Sequence, residues 1–370
     1  MNHLVIIWSN ASEYQEKVLA KIQSSAINVK LYAITWSSQY LESNFSRFFE
    51  KKLALNEIEK NYGLGEFLVC LVSSENNHEP IPIISEISNI SRAIYLTSDE
   101  KQINRDLTLL LGRNLSDLQQ ESSYQSKDIT IVSKDLEGVN GFADLTHLFY
   151  VLNNTIDYCV LRNFENLPDR FDPSIHGDID LLVENLNRVI SITNARKMFP
   201  DKPTSVAYYV PICKGEIRFD FRYVGDGYLD TAWEKDVLRS SKITPPYAPS
   251  RNFMTMSPMH QYFTLLYHAY VQKYKIAIDY PDKLQNFALL IGATYKDDIR
   301  YSMNQLWTFM QENGYHISIP SEKEGTLNWE NLKYVSEYRS LRLKYLLTRG
   351  VVQFIEKVKR KFLKIIARII

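Results

Sequence analysis

The sequence predicts an α+β fold with a mixed sheet as its core, an N-terminal α/β domain before it and a helical region after it. Two observations support this class. Short apolar runs of strand length alternate with helix-compatible segments up to about residue 250, and beyond that point apolar residues recur at the three- and four-residue spacing of helices. A chain of 370 residues is long enough for more than one hydrophobic core.

Residues 1–120 are predicted to form the N-terminal α/β domain. The apolar runs "LVIIW", "VKLYAITW" and "EFLVCLV" predict strands, and "SEYQEKVLAKIQSS" predicts a helix between the first two. In "YLTSDEKQINRDLTLLLG", Thr97 or Ser98 is expected as the N-cap of a helix that stops at Gly112. The polar stretch 116–128 predicts a linker. No residues in this domain have a recognisable catalytic spacing, so acceptor recognition, partner binding and a structural role all remain open.

Residues 129–250 are predicted to form the mixed-sheet core. A helix is expected at "DLTHLFYVLNN", and strands are expected at "DYCVLRNF", "GDIDLLVE", "SVAYYVPI" and "EIRFDFRYV". Residues 251–330 predict a helical subdomain, with Ser257 as a cap and Pro258 at the first helical position. Residues 331–370 are expected to form a basic amphipathic C-terminal helix.

Charge and cysteine content exclude several classes of protein. Lys plus Arg and Asp plus Glu both number 43, so there is no global basic field, and no nucleic-acid partner is expected. Cys70, Cys159 and Cys213 are too few and too widely spaced for a disulfide framework or a CxxC metal site. No basic leader and no long apolar run is evident, so the sequence predicts a cytoplasmic protein.

Paired carboxylates stand at the start of the strand in "GDIDLLVE". Side chains alternate along a strand, so Asp178 and Asp180 share one face. In "EIRFDFRYV", Asp220 shares a face with Arg218 and Arg222. If the two strands are neighbours, three carboxylates converge with guanidinium groups, which suits Mg²⁺, with Mn²⁺ as an alternative, and phosphoryl or nucleotidyl transfer. The simpler interpretation is that an isolated DxD is a turn or a solvated strand end.

The order of Gly, DxD, apolar strand and a third Asp on a later strand resembles the DNA polymerase β-like nucleotidyltransferase superfamily over roughly residues 150–275. A glycosyltransferase DxD usually follows its apolar strand, whereas "LLV" here comes after the pair. The resemblance implies a nucleotidyltransferase-like core in which Asp178, Asp180 and Asp220 are both catalytic and metal-binding. Members usually carry Gly-Ser about ten residues before the pair, and this chain has "VLRNFENLPDRF" there, so Arg162 and Asn163 are expected to substitute as substrate contacts.

Other residues are candidates for substrate binding. His176 and Gly177 lie beside the DxD pair, and Arg222 lies on the strand of Asp220. Asp226 lies in the turn "YVGDGYLD", and His268 and Lys273 lie on the helix "FTLLYHAYVQK". For Asp226 the alternative is an ordinary hairpin loop. For His268 it is a buried structural histidine.

The wider pattern is similar to nucleotidyltransferase-like proteins of bacterial surface-polysaccharide loci, and more distantly to LicD and fukutin transferases. That similarity implies a Mg²⁺-dependent transferase of phosphorus-containing groups, acting in surface polysaccharide biosynthesis of the capsule, lipopolysaccharide or teichoic-acid type. A nucleotide-linked donor and a glycan or lipid-linked glycan acceptor would be its substrates. Two alternatives stay open: transfer of a nucleoside monophosphate to a small molecule or protein, and a degenerate, non-catalytic scaffold of the same fold.

The C-terminal segment "GVVQFIEKVKRKFLKIIARII" places cations on one helical face and apolar residues over most of the rest. It contains a single acid, Glu356. A helix packed on the protein's own core would also have such a stripe. The basic character favours an anionic membrane surface as the partner of residues 350–370 and predicts peripheral attachment on the inner face of the membrane.

Overall fold

The computed structural model describes residues 2–25, 28–73, 93–120, 128–174, 177–212, 215–243, 252–320 and 327–347. The chain forms two compact units. The first comprises Met1–Arg222 and Ile243–Thr255, and the second comprises Tyr223–Lys242 and Met256–Ile370. Each unit is therefore assembled from two separate stretches of the chain.

The first unit contains an N-terminal five-stranded sheet. Its strands are β1 (Asn2–Ile7), β2 (Asn28–Thr35), β3 (Phe67–Ser73), β4 (Ile94–Thr97) and β5 (Ile129–Ser133). Their order is β4-β1-β3-β2-β5, and all pairs are antiparallel except β2 with β5. The mixed α and β character expected here is confirmed. This sheet, however, extends past residues 120–129, where the N-terminal domain was expected to end. The reason is that β5 forms backbone hydrogen bonds with β2.

Short helices accompany this sheet. They are α1 (Gln15–Ser25), α2 (Leu41–Phe48), α3 (Leu55–Asn61), α4 (Glu100–Leu111) and α5 (Leu115–Gln120), with 3-10 helices at Ser9–Tyr14 and Ser38–Tyr40. The expected helix is confirmed at α4, and Gly112 ends it with a left-handed φ of 70°. Its expected cap is wrong, because Asp99 accepts the hydrogen bond from the Gln102 backbone N–H at 2.7 Å. Asp99 lies directly before the first helical residue, where a cap has to be.

A seven-stranded sheet completes the first unit. Its strands are β6 (Tyr158–Val160), β7 (Ile179–Val183), β8 (Arg196–Lys197), β9 (Ala207–Ile212), β10 (Gly215–Tyr223), β11 (Lys242–Ile243) and β12 (Met254–Thr255). The order is β11-β12-β6-β7-β10-β9-β8. The four strands expected from sequence are confirmed as β6, β7, β9 and β10, and the helix "DLTHLFYVLNN" as α6 (Leu145–Thr155). Because β7 and β10 are neighbours, the residues of the two strands can share one site.

Arg47 of α2 is buried and binds backbone carbonyl groups far away in the sequence. Its guanidinium donates hydrogen bonds to the carbonyl oxygens of Glu137 at 2.6 Å, Ser191 at 2.8 Å and Ile192 at 2.6 Å. The last two carbonyls belong to the final turn of α7 (Leu186–Thr193), where helix geometry leaves acceptors without partners. Burial lowers the pKa of Arg47 to about 9, so the group is still charged at neutral pH. This buried cation links α2 to α7 within the first unit.

The second unit is helical. Its helices are α8 (Thr231–Ser240), α9 (Pro258–Leu266), α10 (Tyr280–Leu290), α11 (Ile299–Glu312) and α12 (Trp329–Leu332). The expected start of helix α9 is confirmed, with Ser257 capping it and Pro258 in its first turn. A π-helical turn, Tyr267–Gln272, continues α9 directly. This unit also takes in Tyr223–Lys242, which had been expected to belong to the sheet core.

The predicted basic helix at residues 350–370 lies outside the described residues, so that expectation stays a prediction. Among the residues that the structure describes, none of the helices has the length and apolar character needed to cross a bilayer.

Candidate functional site

The three predicted carboxylates lie on neighbouring strands of the seven-stranded sheet. Asp178 directly precedes β7, Asp180 is the second residue of β7, and Asp220 is on β10. Phe219 and Phe221 are fully buried at 0% exposure, whereas Asp220 between them is half-buried. The alternation of β10 therefore directs its charged residues to the face opposite its aromatic core, as the sequence predicted.

Two arginines neutralise these carboxylates. Arg162, in the loop after β6, pairs through Nη2 with Oδ1 of Asp180 at 2.6 Å. Arg218 of β10 contacts Asp178 Oδ2 at 3.1 Å and Asp220 Oδ1 at 3.2 Å through a single nitrogen, Nη2. Three carboxylates and two guanidinium groups leave the cluster with one net negative charge. The cluster is therefore an ion-pair network in which Arg218 bridges the two strands.

The charged groups of the cluster shift the pKa of Asp220. Burial raises the pKa of Asp220, and the neighbouring charge of Asp180 raises it further. Arg218 opposes the rise, and Asp178 adds to it. For Arg218, burial alone would lower the pKa, but Asp220 and Asp178 outweigh it and the pKa is raised. Arg218 is therefore held in its charged form, and Asp220 takes up a proton more readily than an exposed carboxylate does.

The carboxylate oxygens of the cluster are the kind of donor that Mg²⁺ binds. In the structure, however, these oxygens are paired with Arg162 and Arg218. Mg²⁺ usually takes one or two protein carboxylates and completes its shell with water and substrate phosphates. Within the described ranges, no group of three or more His, Cys, Asp or Glu side chains is arranged to hold a metal ion. Arg218 already occupies the space between Asp178 and Asp220.

The loop carrying Arg162 also holds Asn163 in a left-handed backbone conformation, with φ of 55°. Asparagine adopts this conformation more easily than most residues. Both side chains are half-buried, and Arg162 points to Asp180, so the structure places this predicted substrate loop at the carboxylate cluster. Arg222 follows Asp220 by two residues on β10 and is half-buried.

Two candidates flank the DxD pair on its N-terminal side. Gly177 is exposed and has open space around the position that a Cβ would take, so the backbone there is accessible to a ligand. His176 lies outside the described residues, and its predicted role stays a prediction.

The remaining candidates belong to the second unit. Asp226 is 2% exposed, accepts a hydrogen bond from the Tyr228 N–H at 2.7 Å and is hydrogen-bonded to Glu234. The predicted turn is confirmed, and Gly227 in it has φ of 82° and packs closely on the Ile319 carbonyl, where an added Cβ would lie 2.5 Å from the oxygen. These contacts assign Asp226 to the internal structure of the turn.

His268 lies in the π-helical turn and is buried. Its Nδ1 is 2.8 Å from Gln272 Oε1 and 3.2 Å from the Tyr228 hydroxyl. Gln272 in turn donates to the Tyr228 carbonyl at 2.7 Å. This network matches the alternative of a structural histidine that the sequence left open. Lys273, at the end of the turn, is exposed.

Two functional or structural residues were missed by sequence reasoning. The sequence predicted that Arg218 shares a strand face with Asp220, but Arg218 was not among the predicted site residues. Its contacts with both Asp178 and Asp220 are evident only from the strand pairing. Glu234 is fully buried and accepts hydrogen bonds from Gly225 N–H at 2.7 Å and Leu229 N–H at 3.1 Å. An acid in the first turn after the capping residue Asp230 was a usable signal, because such acids often reach back to the preceding backbone.

Comparison of the chain with models of protein families, with curated proteins and with solved structures found no match.

Proposed function

We propose that this protein is a Mg²⁺-dependent transferase of phosphorus-containing groups, with a nucleotidyltransferase-like core in its seven-stranded sheet. The observation that carries the proposal is the convergence of Asp178, Asp180 and Asp220 with two arginines on neighbouring strands. Carboxylates beside guanidinium groups suit a reaction in which anionic phosphate oxygens must be held and a hydroxyl must be deprotonated.

Each residue has a role that follows from its chemistry. Arg162 and Arg218 can donate to phosphate oxygens and hold them in place. One of the three carboxylates, with Asp220 on β10 as a candidate, would orient the acceptor hydroxyl or accept its proton. Asp178, with its side chain 30% exposed, is open to incoming ligands. Mg²⁺, when bound, would neutralise charge on the transferred group.

The proposed setting is the cytoplasmic face of a membrane, in bacterial surface polysaccharide assembly. A nucleotide-linked donor and a glycan or lipid-linked glycan acceptor would be the substrates, with residues 350–370 as the membrane contact. This part of the proposal rests on the resemblance of "GDIDLLV" and "FDFRYVGDGYLD" to transferases of that kind and on the basic C-terminal sequence. Transfer of a nucleoside monophosphate would use the same residues but release pyrophosphate instead of a nucleoside monophosphate.

A ligand screen tests the proposal directly. The melting temperature of the wild type is measured with nucleotides and nucleotide sugars, each with and without Mg²⁺, because a ligand that binds only the folded state raises it. We expect stabilisation by at least one nucleotide ligand that needs Mg²⁺, and its loss in Asp178→Asn. A full screen with no Mg²⁺-dependent stabilisation would refute the catalytic proposal and favour a scaffold. Identification of the released product in a turnover assay then separates the two transferase reactions.

A further inference from the structure

The helix at residues 338–347 of the second unit has one buried side and one uncovered apolar side. Leu341 is buried at 8% exposure, whereas Leu343, Leu346 and Leu347 are 60%, 60% and 63% exposed. The three exposed leucines have the three- and four-residue spacing that places side chains on one side of a helix, opposite Leu341. We call these three residues the leucine face. Single exposed leucines are ordinary, but a cluster on one helix side is typical of an interaction surface.

Aromatic contacts hold the opposite side of this helix. Trp329 of α12 packs edge-on against Tyr338 and Tyr345, with ring-centroid distances of 6.2 Å and 5.0 Å. At about 100° per residue, both tyrosines lie on the same side of the helix as Leu341. The packing of these residues therefore fixes the orientation of the helix, and the leucine face points away from the side that is packed.

Positive charge surrounds the leucine face. Arg339, Arg342 and Lys344 are exposed, and residues 338–347 contain no Asp or Glu. From there to residue 370, the sequence has Glu356 as its single acid. The long side chains of Lys and Arg can lie along apolar material while their charged ends stay in water. Leucines flanked by cations therefore match the surface of an anionic membrane in both apolar character and charge.

The same charges argue against two other occupants of the leucine face. A second copy docked symmetrically would bring identical surfaces together, so the cations of the two copies would repel each other. The sequence 350–370 is itself basic, and it would be repelled in the same way. The cores of interfaces between proteins are also depleted in lysine.

We infer that the leucine face inserts into the boundary between headgroups and acyl chains of an anionic bilayer, with the neighbouring cations at the headgroups. The membrane contact then begins within residues 338–347 and is not confined to residues 350–370. This inference rests on the membrane setting of the proposed function and is independent of the transfer reaction. Stable attachment to a membrane usually takes two signals, so the leucine face and the basic sequence 350–370 are both needed.

Partition of the full chain onto vesicles of phosphatidylglycerol and phosphatidylcholine tests the inference, measured by sedimentation at about 0.15 M salt, where attraction between exposed charges is screened. The triple variant Leu343→Gln, Leu346→Gln, Leu347→Gln keeps the charge and the helix propensity. We expect its partition coefficient to fall at least about tenfold, because three apolar side chains no longer enter the bilayer. Equal partition of the triple variant and the wild type would overturn the inference.

A matched control distinguishes the leucine face from exposed apolar residues in general. Leu289 and Leu290 of α10 lie in the same unit and are 66% and 45% exposed. The double variant Leu289→Gln, Leu290→Gln should partition as the wild type does. A loss in this control as large as that in the triple variant would overturn the assignment to the leucine face.

Fluorescence quenching measures insertion itself. Vesicles with brominated acyl chains should quench the fluorescence of Leu346→Trp more strongly than that of Leu289→Trp, because only the first new indole lies among acyl chains. The five native tryptophans are the same in both variants and give a common background. Equal quenching of the two variants would overturn the inference.

Two measurements without lipid identify the alternative occupants. A dimer in sedimentation equilibrium that is lost in the triple variant would assign the leucine face to a second copy. A melting temperature lowered in the triple variant would assign it to a contact within the chain. Either result overturns the inference. The nucleotide and Mg²⁺ screen contains no lipid, so its failure would refute the transferase proposal without affecting the vesicle results, and the reverse also holds.

Discussion

Replacing Glu234 by glutamine removes a buried ionisable group from the first turn of α8 while keeping its size. Glu234 is 0% exposed and accepts hydrogen bonds from the backbone N–H groups of Gly225 and Leu229. Burial raises its pKa to about 8, the two N–H groups oppose the rise, and the nearby carboxylate of Asp226 adds to it. Glu234, beside Asp226, therefore takes up a proton more readily than an exposed carboxylate does.

The sign of the effect on stability follows from the two pKa values. In the unfolded chain the carboxyl titrates near 4.5, and in the folded protein near 8. The folded state holds the proton more tightly, so its stabilising contribution is fully present below pH 4.5 and is lost as the pH rises through 8. One proton corresponds to about 1.4 kcal/mol per pH unit. Between pH 6 and pH 8, the free energy of unfolding should fall by up to about 3 kcal/mol.

The assay is urea unfolding of wild type and Glu234→Gln at pH 6, 7, 8 and 9, with the difference in free energy of unfolding as the measured quantity. At pH 6 the variant should be less stable by about 1–3 kcal/mol, because the amide nitrogen faces a backbone N–H that has lost its acceptor. The gap should narrow as the pH rises, since only the wild type loses stability through this group. Glu330→Gln, which changes an exposed carboxylate of the same unit, is the control. A gap that stays constant from pH 6 to pH 9 would refute the reasoning.

Two further predictions concern Asp180 and the C-terminus. Asp180→Asn should lower the free energy of unfolding in EDTA by about 1–3 kcal/mol, because Asp180 is buried and its charge pairs with Arg162; Asp178→Asn, at a more exposed carboxylate, should cost less than about 1 kcal/mol. Equal losses in urea unfolding would contradict that order. The full chain should sediment with anionic liposomes at low salt, and truncation after Arg349 should abolish this without reducing turnover of a soluble acceptor analogue. Equal sedimentation of both forms would show that residues 350–370 are not the membrane contact.

Local patterns in the sequence were sufficient to predict most elements and part of the site. Strand alternation predicted which face of β10 carries Asp220, because side-chain direction along a strand depends only on residue parity. Ser257 and Pro258 predicted the start of α9, since capping depends on a few adjacent residues. The carboxylate pair was identified in the same way, from a spacing that places both groups on one face.

Tertiary structure decided the sheet boundaries, the ion pairs and the burial of ionisable groups. These features depend on contacts between residues far apart in the chain. The pairing of β5 with β2 moved the end of the first sheet, and no local signal distinguishes a strand that returns to an earlier sheet from one that begins a new sheet. The bridge from Arg218 to Asp178 and Asp220 arises only when β7 and β10 are neighbours. The burial that raises the pKa of Glu234 arises only when the turn closes over it. By itself, the sequence determined which chemical groups lie on each strand face. The fold decided which of these charged groups pair with one another. Charge pairing requires distances of a few ångströms, and local periodicity does not specify such distances.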